Sequence, residues 1–148
     1  MEAVLQRLQW LEDRIALQDL IIEYCAQIDR SNVEGVLGCF VEDGVLDLTG
    51  LGLPRLQGRT EIRDFFSSVF ATMAYNGHYS SNFKLDALNG DRASAHAYVH
   101  AVGKSTEGGD VLVYAKHEFD AVRTEDGWKI AEFREPFLVP SGEEIPEF

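Results

Sequence analysis

Two side chains suited to acid–base chemistry lie far apart in the sequence, at Asp29 and His78. Asp29 follows Ile21 and Cys25 at four-residue intervals, so a helix would place its carboxylate on an apolar face. Burying a carboxylate without a partner is costly in free energy. Histidine is the side chain best suited to take up a proton near neutral pH. We therefore predict that Asp29 and His78 meet as a dyad at the mouth of a pocket.

Each of these residues also has a plain structural interpretation. Asp29 could cap a helix, a role that Ser31 and Asn32 could fill equally well. His78 could bond only to the backbone at the start of a strand. The two cysteines, Cys25 and Cys39, show no metal-binding spacing, and Cys25 is most simply a small core residue.

Length and charge narrow the class of protein. The 148 residues fit one domain, predicted as residues 1–148 with a tail at 141–148. The net charge of −12, from 25 acidic and 13 basic residues, argues against nucleic-acid and anionic-membrane partners. The N-terminal segment lacks a basic region followed by an apolar run, so a cytoplasmic location is expected.

The apolar residues recur first with helical periodicity and then with strand periodicity. Apolar residues recur at three- and four-residue spacing over 3–28, which predicts a long helix. A short helix ending near Phe40 and a third helix from Thr60 to Asn76-Gly77 should follow. Strands are predicted at 45–48, 78–88, 92–104, 111–123 and 128–139, with hairpin turns between the last four. This order predicts an α+β fold in which helices cover one face of a curled, mostly antiparallel sheet.

One predicted strand carries His96, Tyr98 and His100 on the same face. His96 and His100 would be about 13 Å apart at roughly 3.3 Å per residue. That distance is too long for a shared metal ion, and no metal site is predicted. The face would line a pocket or a subunit interface, and Tyr98 and His100 are assigned to the substrate pocket.

Several segments in this order resemble a known family. They are 15–20 (IALQDL), Tyr24 and Asp29, 77–82 (GHYSSN) and 126–130 (DGWKI). From about residue 16 to 136 the chain is similar to SnoaL-like members of the nuclear-transport-factor-2-like superfamily, which have a cone-shaped, cystatin-like α+β fold. The spacing resembles the branch of scytalone dehydratase, hexachlorocyclohexane dehydrochlorinase and bile-acid 7-alpha-dehydratase.

The resemblance implies roles for particular residues. It implies that His78 and Asp29 form a dyad inside the cone and that Tyr24 is a pocket tyrosine. In an ungapped match, the pocket arginine of the dehydrochlorinase aligns with Phe133, one residue before Arg134. Phe133 and Arg134 are therefore both assigned to the substrate pocket. Cones of this kind also line their cavity with aromatic side chains, to which Phe66 is assigned. The second pocket tyrosine of the dehydratases is missing, because residues 45–48 read VLDL.

These observations predict a cofactor-independent lyase, of dehydratase or dehydrohalogenase type, that acts on a small apolar, cyclic molecule. His78 would remove a proton, Asp29 would orient His78, and Tyr24 and His100 would assist the leaving group. A homodimer or homotrimer is expected. One alternative is an isomerase or polyketide cyclase with Asp47 or Asp29 as base. Another is a non-catalytic binding or assembly module, in which Asp29 would be exposed and His78 would contact only backbone.

Overall fold

The computed structural model describes residues 1–139, which contain three α-helices and six β-strands. The predicted tail, 141–148, lies outside these residues. None of the described helices is long and apolar enough to cross a membrane. The elements are α1 (Glu2–Asp29), α2 (Val33–Gly38), β1 (Phe40–Asp47), a 3₁₀ turn (Thr49–Leu51), β2 (Arg55–Gln57), α3 (Gly58–Thr72), β3 (Met73–Asn89), β4 (Arg92–Ser105), β5 (Asp110–Thr124) and β6 (Gly127–Arg134).

The six strands form one sheet in the order β2-β1-β6-β5-β4-β3. Within the described chain only β1 and β6 run parallel, while every other neighbouring pair is antiparallel. The strands β3 to β6 are consecutive in sequence and adjacent in space, as hairpin connections require. The predicted α+β class with a curled, mostly antiparallel sheet is confirmed.

The helices pack on the sheet face where β4 carries its smallest residues. Ala93, Ala95, Ala97 and Val99 alternate with outward-facing residues and are buried. Their short side chains leave room for the apolar stripe of α1, which is buried at Leu17, Leu20, Ile21, Tyr24, Cys25 and Ile28. The long helix predicted from this spacing is therefore present, and one of its faces supplies much of the core.

Two predicted boundaries are wrong around the third helix. The helix α3 ends at Thr72 instead of at Asn76-Gly77, because the chain extends from Met73 onward. Asn76 and Gly77 lie inside β3, where they pair with Gly103 and Val102 of β4. A side chain on Gly103 would place its Cβ 3.0 Å from the Tyr75 carbonyl oxygen, so this strand pair is close because residue 103 is glycine.

Strand boundaries also differ near β1 and β6. The strand β1 begins at Phe40 instead of 45 because it pairs with Ile130 of β6 from its first residue. The short strand β2 was not predicted, since its three residues lie in a segment rich in glycine and proline. The strand β6 ends at Arg134, earlier than the predicted 139.

A buried carboxylate ties the exposed half of α1 to the sheet. Asp13 accepts hydrogen bonds from Arg123 Nη1 and Nη2 at 2.8 and 2.9 Å, and from Trp128 Nε1 at 3.1 Å. Arg123 also donates to Asp91 at 2.9 Å. The hydrogen bonds from Arg123 lower the pKa of Asp13, although burial acts in the opposite direction. The charged form of Asp13 is therefore favoured by folding.

We expect Asp13→Asn to destabilise the protein by about 1–3 kcal/mol at neutral pH, because a charged pair with a bidentate geometry is lost. Because the pKa of Asp13 is lowered, the stability that its carboxylate contributes is fully present above the ordinary pKa of 3.8. This contribution is lost as the pH falls through the lower pKa of Asp13 in the folded protein. Urea unfolding across this range should show a shallower acid decline for the variant. Asp91→Asn is the matched control, because Asp91 shares Arg123 but its side chain is 78% exposed; we expect less than about 0.5 kcal/mol. Equal effects of the two changes would contradict the assignment.

Candidate active site

A cavity of about 290 Å³ lies between α1, α3 and the strands β3 to β5. Most of its lining is aliphatic or aromatic, from Tyr24, Ile28, Leu48, Leu51, Leu53, Phe65, Phe66, Val69, Met73, Ala101, Val102, Gly103 and Val111. The polar lining side chains are Asn76, His78, His117 and Glu135. A mostly apolar wall with a few convergent polar groups is typical of a small-molecule site.

A larger hollow, of about 580 Å³, lies between α1, α2 and the start of β6. Its charged lining residues are Asp19, Glu23 and Lys129. It contains neither member of the predicted dyad, and the Lys129 ammonium is bonded to the Gly38 carbonyl oxygen at 2.6 Å. We therefore assign the chemistry to the smaller cavity, which contains the imidazoles.

Asp29 and His78 meet at the wall of this cavity. His78 Nδ1 lies 2.6 Å from Asp29 Oδ1, and the His78 backbone N–H donates to Asp29 Oδ2 at 3.2 Å. Both carboxylate oxygens are thus used, which fixes the orientation of the imidazole. Because Nδ1–H faces the carboxylate, Nε2 is the ring nitrogen left for a substrate.

The local structure does not need Asp29 as a cap. Asp29 is the last residue of α1, where the helix dipole disfavours a negative charge. The following helix, α2, is capped by Asn32, whose Oδ1 accepts from the Gly35 N–H at 3.2 Å. The contact with His78 therefore explains the position of this carboxylate better than capping does.

His117 was not identified from the sequence. It lies on β5, is 1% exposed, and its ring centroid is 6.2 Å from that of His78. Its Nε2 is 3.5 Å from Glu135 Oε1, and its Nδ1 is 3.7 Å from Cys25 Sγ. The available signal was its alternation with Ala115 and Phe119, which places a polar ring on a buried face.

Tyr24 belongs to an aromatic cluster behind and beside the dyad. Its ring packs against Phe40, Phe66, His117 and Phe133, with centroids 5.9, 6.4, 5.9 and 4.7 Å away. Burial of the phenol is the main cause that raises the pKa of Tyr24. The phenol therefore stays protonated and can donate a hydrogen bond into the cavity.

The family follows from the extent of the sequence match. The family model of the SnoaL-like domain matches residues 9–134, which is most of the chain. This protein belongs to the SnoaL-like domain family. The predicted resemblance is confirmed.

Solved structures similar to this SnoaL-like protein share its fold. A Novosphingobium aromaticivorans protein, assigned by name to the aromatic ring hydroxylases, is 42% identical with a TM-score of 0.86, over 88% of this chain and 92% of that one. A nuclear-transport-factor-2-like protein with a cystatin-like fold, from the same organism, is 22% identical with a TM-score of 0.79, over 96% and 92%. A hexachlorocyclohexane dehydrochlorinase from Novosphingobium barchaimii is 18% identical with a TM-score of 0.79, over 95% and 99%.

Two residues assigned to the substrate pocket lie on the other face of the sheet. Tyr98 and His100 point away from the helices, and His100 stacks on Tyr114 with centroids 4.6 Å apart. The Lys116 ammonium lies 5.9 Å from the Tyr98 ring centroid. Because side chains alternate along β4, the cavity is lined instead by Ala101. The predicted pocket position of Tyr98 and His100 is wrong for this reason.

The remaining predicted positions divide between the cavity and its surroundings. Phe66 lines the cavity. Phe133 is buried behind it, where it packs on Tyr24 and on His117. Arg134 faces away and bonds to Asp120 at 3.0 Å, because successive residues of β6 point to opposite faces. Placing Arg134 in the pocket is therefore wrong, while Phe133 supports the pocket from outside its lining.

Asp47, the alternative base, also lies outside the cavity. Its Oδ1 accepts from the Thr49 backbone N–H at 3.0 Å and from the Thr49 hydroxyl at 2.6 Å. These hydrogen bonds lower the pKa of Asp47, which weakens it as a base. Among the described residues, no group of three or more histidine, cysteine, aspartate or glutamate side chains is arranged to hold a metal ion.

Cys25 contributes a protonated thiol beside His117. Burial is the main cause that raises the pKa of Cys25 to about 12, and the charges of Asp29 and Glu135 add to it. A raised pKa means that the thiol keeps its proton at neutral pH. The protonated thiol can act toward His117 Nδ1 as a weak donor or as a weak acceptor.

We expect both cysteines of the native protein to react slowly with an aromatic disulfide reagent at mildly alkaline pH. Burial raises the pKa of Cys39 to about 11, so neither residue supplies much thiolate. The rate should be on the order of 100-fold or more below that of the protein in guanidinium, because both thiolate fraction and access are reduced. A native thiol that reacts as fast as the unfolded one would contradict these environments.

Proposed function

We propose that this SnoaL-like protein is a cofactor-independent lyase that removes water or a halide from a small, mostly apolar ring compound. The observation that carries the proposal is the 2.6 Å contact between His78 Nδ1 and Asp29 Oδ1 at the wall of an apolar cavity. A histidine held by a carboxylate is the arrangement that activates a base and stabilises its charged form.

Each residue of the dyad has a separate task in this reaction. His78 Nε2 accepts the proton from the carbon next to the leaving group. Asp29 holds the ring in the tautomer that leaves Nε2 free, and its negative charge stabilises the imidazolium that forms. Tyr24 donates a hydrogen bond from its protonated hydroxyl toward the substrate. Proton transfer between side chains and substrate needs no additional redox group.

The cavity supports a compact and apolar substrate. Its volume, about 290 Å³, is near the lower end of about 300–1,000 Å³ for ligand pockets. Aromatic side chains such as Phe65 and Phe66 form part of its wall and favour a flat ring. The name of the 42% identical relative, an aromatic ring hydroxylase, also supports a ring-containing substrate.

The geometry favours catalysis over a purely structural role for the dyad. A non-catalytic module should leave Asp29 exposed at a turn and His78 bonded only to backbone. Asp29 is exposed at the end of α1, as such a module would have it, but the His78 imidazole is 12% exposed and is bonded to the Asp29 carboxylate as well as through its backbone N–H. The isomerase alternative loses Asp47 as a base, while Asp29 faces a histidine.

We expect wild-type protein to convert members of a panel of hydroxylated and chlorinated cyclic ketones to the unsaturated ketone, with release of water or chloride. His78→Ala should reduce kcat by about 10²- to 10⁴-fold, because the positioned base is removed. Asp29→Asn should cause a similar loss, because an amide cannot stabilise the imidazolium. Product mass spectrometry and ultraviolet absorbance measure the reaction.

The matched control is the pair His96 and Asp86 on the outer sheet face. His96 Nδ1 lies 2.7 Å from Asp86 Oδ2, so the pair has the same chemistry but does not line the cavity. His96→Gln should leave kcat within about twofold, as surface changes away from a site usually do little. If His78→Ala behaves like His96→Gln on a confirmed substrate, the dyad is not catalytic. A product of unchanged mass would assign the protein to the isomerases.

We also propose that the protein is a homodimer or homotrimer that associates through the end of the outer sheet face that carries Tyr79, Leu112 and Tyr114, away from His96. Tyr79, Leu112 and Tyr114 are exposed there although they are large and apolar. Sedimentation equilibrium should give a mass of two or three times 16.6 kDa. Leu112→Asp should shift the population toward monomer, because a charge would be buried in the contact. A monomer at micromolar concentration would contradict this proposal.

A further inference from the structure

The cavity contains a second pair of titratable groups that the dyad does not use. His117 and Glu135 both line it, and their side chains are 1% and 13% exposed. Placing an imidazole beside a carboxylate in an apolar wall is costly unless the groups are paired. The Nε2 to Oε1 distance of 3.5 Å is longer than a good structural hydrogen bond. Loose contacts of this kind are common in catalytic sites without substrate.

We propose that His117, positioned by Glu135, delivers the proton to the departing oxygen, so that the leaving group is hydroxide and the protein is a dehydratase. This proposal rests on the lyase function proposed above and names its second catalytic residue. His117 would contact the leaving group, whereas Glu135 acts through His117 and is a positioning residue.

The surroundings of His117 favour transfer from its Nε2 side. Cys25, from α1, lies 3.7 Å from Nδ1, and its sulfur is a weak acceptor for the Nδ1–H that the ring keeps when Nε2 gives up its proton. Nε2 faces Glu135, which follows β6, and its carboxylate stabilises a protonated imidazole. The other titratable groups that face the ring are Tyr24 on α1 and His78 on β3.

The distance between the two imidazoles suits elimination across neighbouring carbons. Their ring centroids are 6.2 Å apart, so a bond between two substrate carbons can lie within reach of both. His78 takes the proton from one carbon, and the C–H electron pair forms the double bond. The C–O bond of the next carbon breaks, and its oxygen takes a proton from protonated His117. Water leaves, and transfer of a proton from His78 through water to His117 restores both rings.

The two leaving groups differ in their need for a proton. A departing halide is a stable anion that leaves without one, so it gains little from proton transfer by His117. Hydroxide is a poor leaving group, and it benefits from the proton that His117 supplies. The pair therefore favours a hydroxylated substrate.

The test compares β-hydroxycyclohexanone with β-chlorocyclohexanone, which give the same enone. We expect His117→Gln and Glu135→Gln to lower kcat for the hydroxy compound by about 10²- to 10³-fold. The rate for the chloro compound, after subtraction of the spontaneous reaction, should stay within about threefold. His78→Ala should slow both compounds, and His96→Gln should slow neither. Glu135→Gln is nearly isosteric, so it keeps the test decisive if His117→Gln does not fold.

The ratio of the two rates is a readout that a structural role would not change. A variant that only disturbed packing would slow both compounds alike, whereas loss of His117 or of the Glu135 carboxylate should lower kcat for the hydroxy compound relative to the chloro compound.

Two results would overturn the proposal while leaving the lyase function intact. One is an equal slowing of both compounds by the His117 and Glu135 variants, and the other is no slowing of either. If His78→Ala keeps its activity on both compounds, the lyase function is overturned instead, and the role of His117 with it. Turnover of only the chloro compound by wild-type protein would assign a halide leaving group and reject the dehydratase.

Discussion

The contact between Asp29 and His78 joins two points that are far apart in the sequence. It depends on where α1 ends and on the direction in which β3 presents its side chains. The helix α1 has to end at residue 29, and it does so through Ser31, which adopts a left-handed conformation at φ 54°. The strand β3 has to carry its imidazole toward the helices, and its pairing with Ala101 fixes that direction. A shift of one residue in this register would turn His78 to the outer face.

The small residues of β4 explain why a cavity lies beside this contact. Ala95 and Ala97 allow α1 to approach the sheet, and further along the same strand Ala101 leaves space that no helix fills. The helix α3 closes the opposite side with Phe65 and Phe66, because its apolar stripe faces the same space. The cavity thus forms because the side chains on this face of β4 are small along its length, while α1 covers only part of that face.

Periodicity predicted the elements well but left the direction of one strand face open. Alternation on β4 correctly separated the alanines from His96, Tyr98 and His100, and correctly placed the alanines against a helix. The cavity lies on that same helix side, so the polar aromatic face could not also line it. Sequence alone does not show this, because a polar aromatic face suits a pocket and a subunit contact equally.

The members of the site differ in how far a sequence can reveal them. The four-residue spacing from Ile21 and Cys25 pointed to Asp29, although its carboxylate is partly exposed at the helix end and not buried, and His78 was the histidine that the resemblance supplied. His117 lacked such a signal, since a lone histidine on a buried strand face is an ordinary core residue. Its partner Glu135 follows the end of β6, and its position depends on where that strand stops, which no local pattern specifies.

The two imidazole–carboxylate pairs differ in their access to solvent, and this difference bears on how protons leave. A second hollow, of about 420 Å³, lies on the far side of the dyad and is lined by Asp29, His78, Tyr79 and Ser80, among others. His78 lines both this hollow and the cavity of about 290 Å³, whereas Asp29 lines only the hollow. His78 borders this hollow and its partner Asp29 is partly exposed, whereas His117 is enclosed. In the proposed cycle, water beside the dyad can carry the proton from His78 to His117, and enclosure lets His117 keep it until a leaving oxygen takes it.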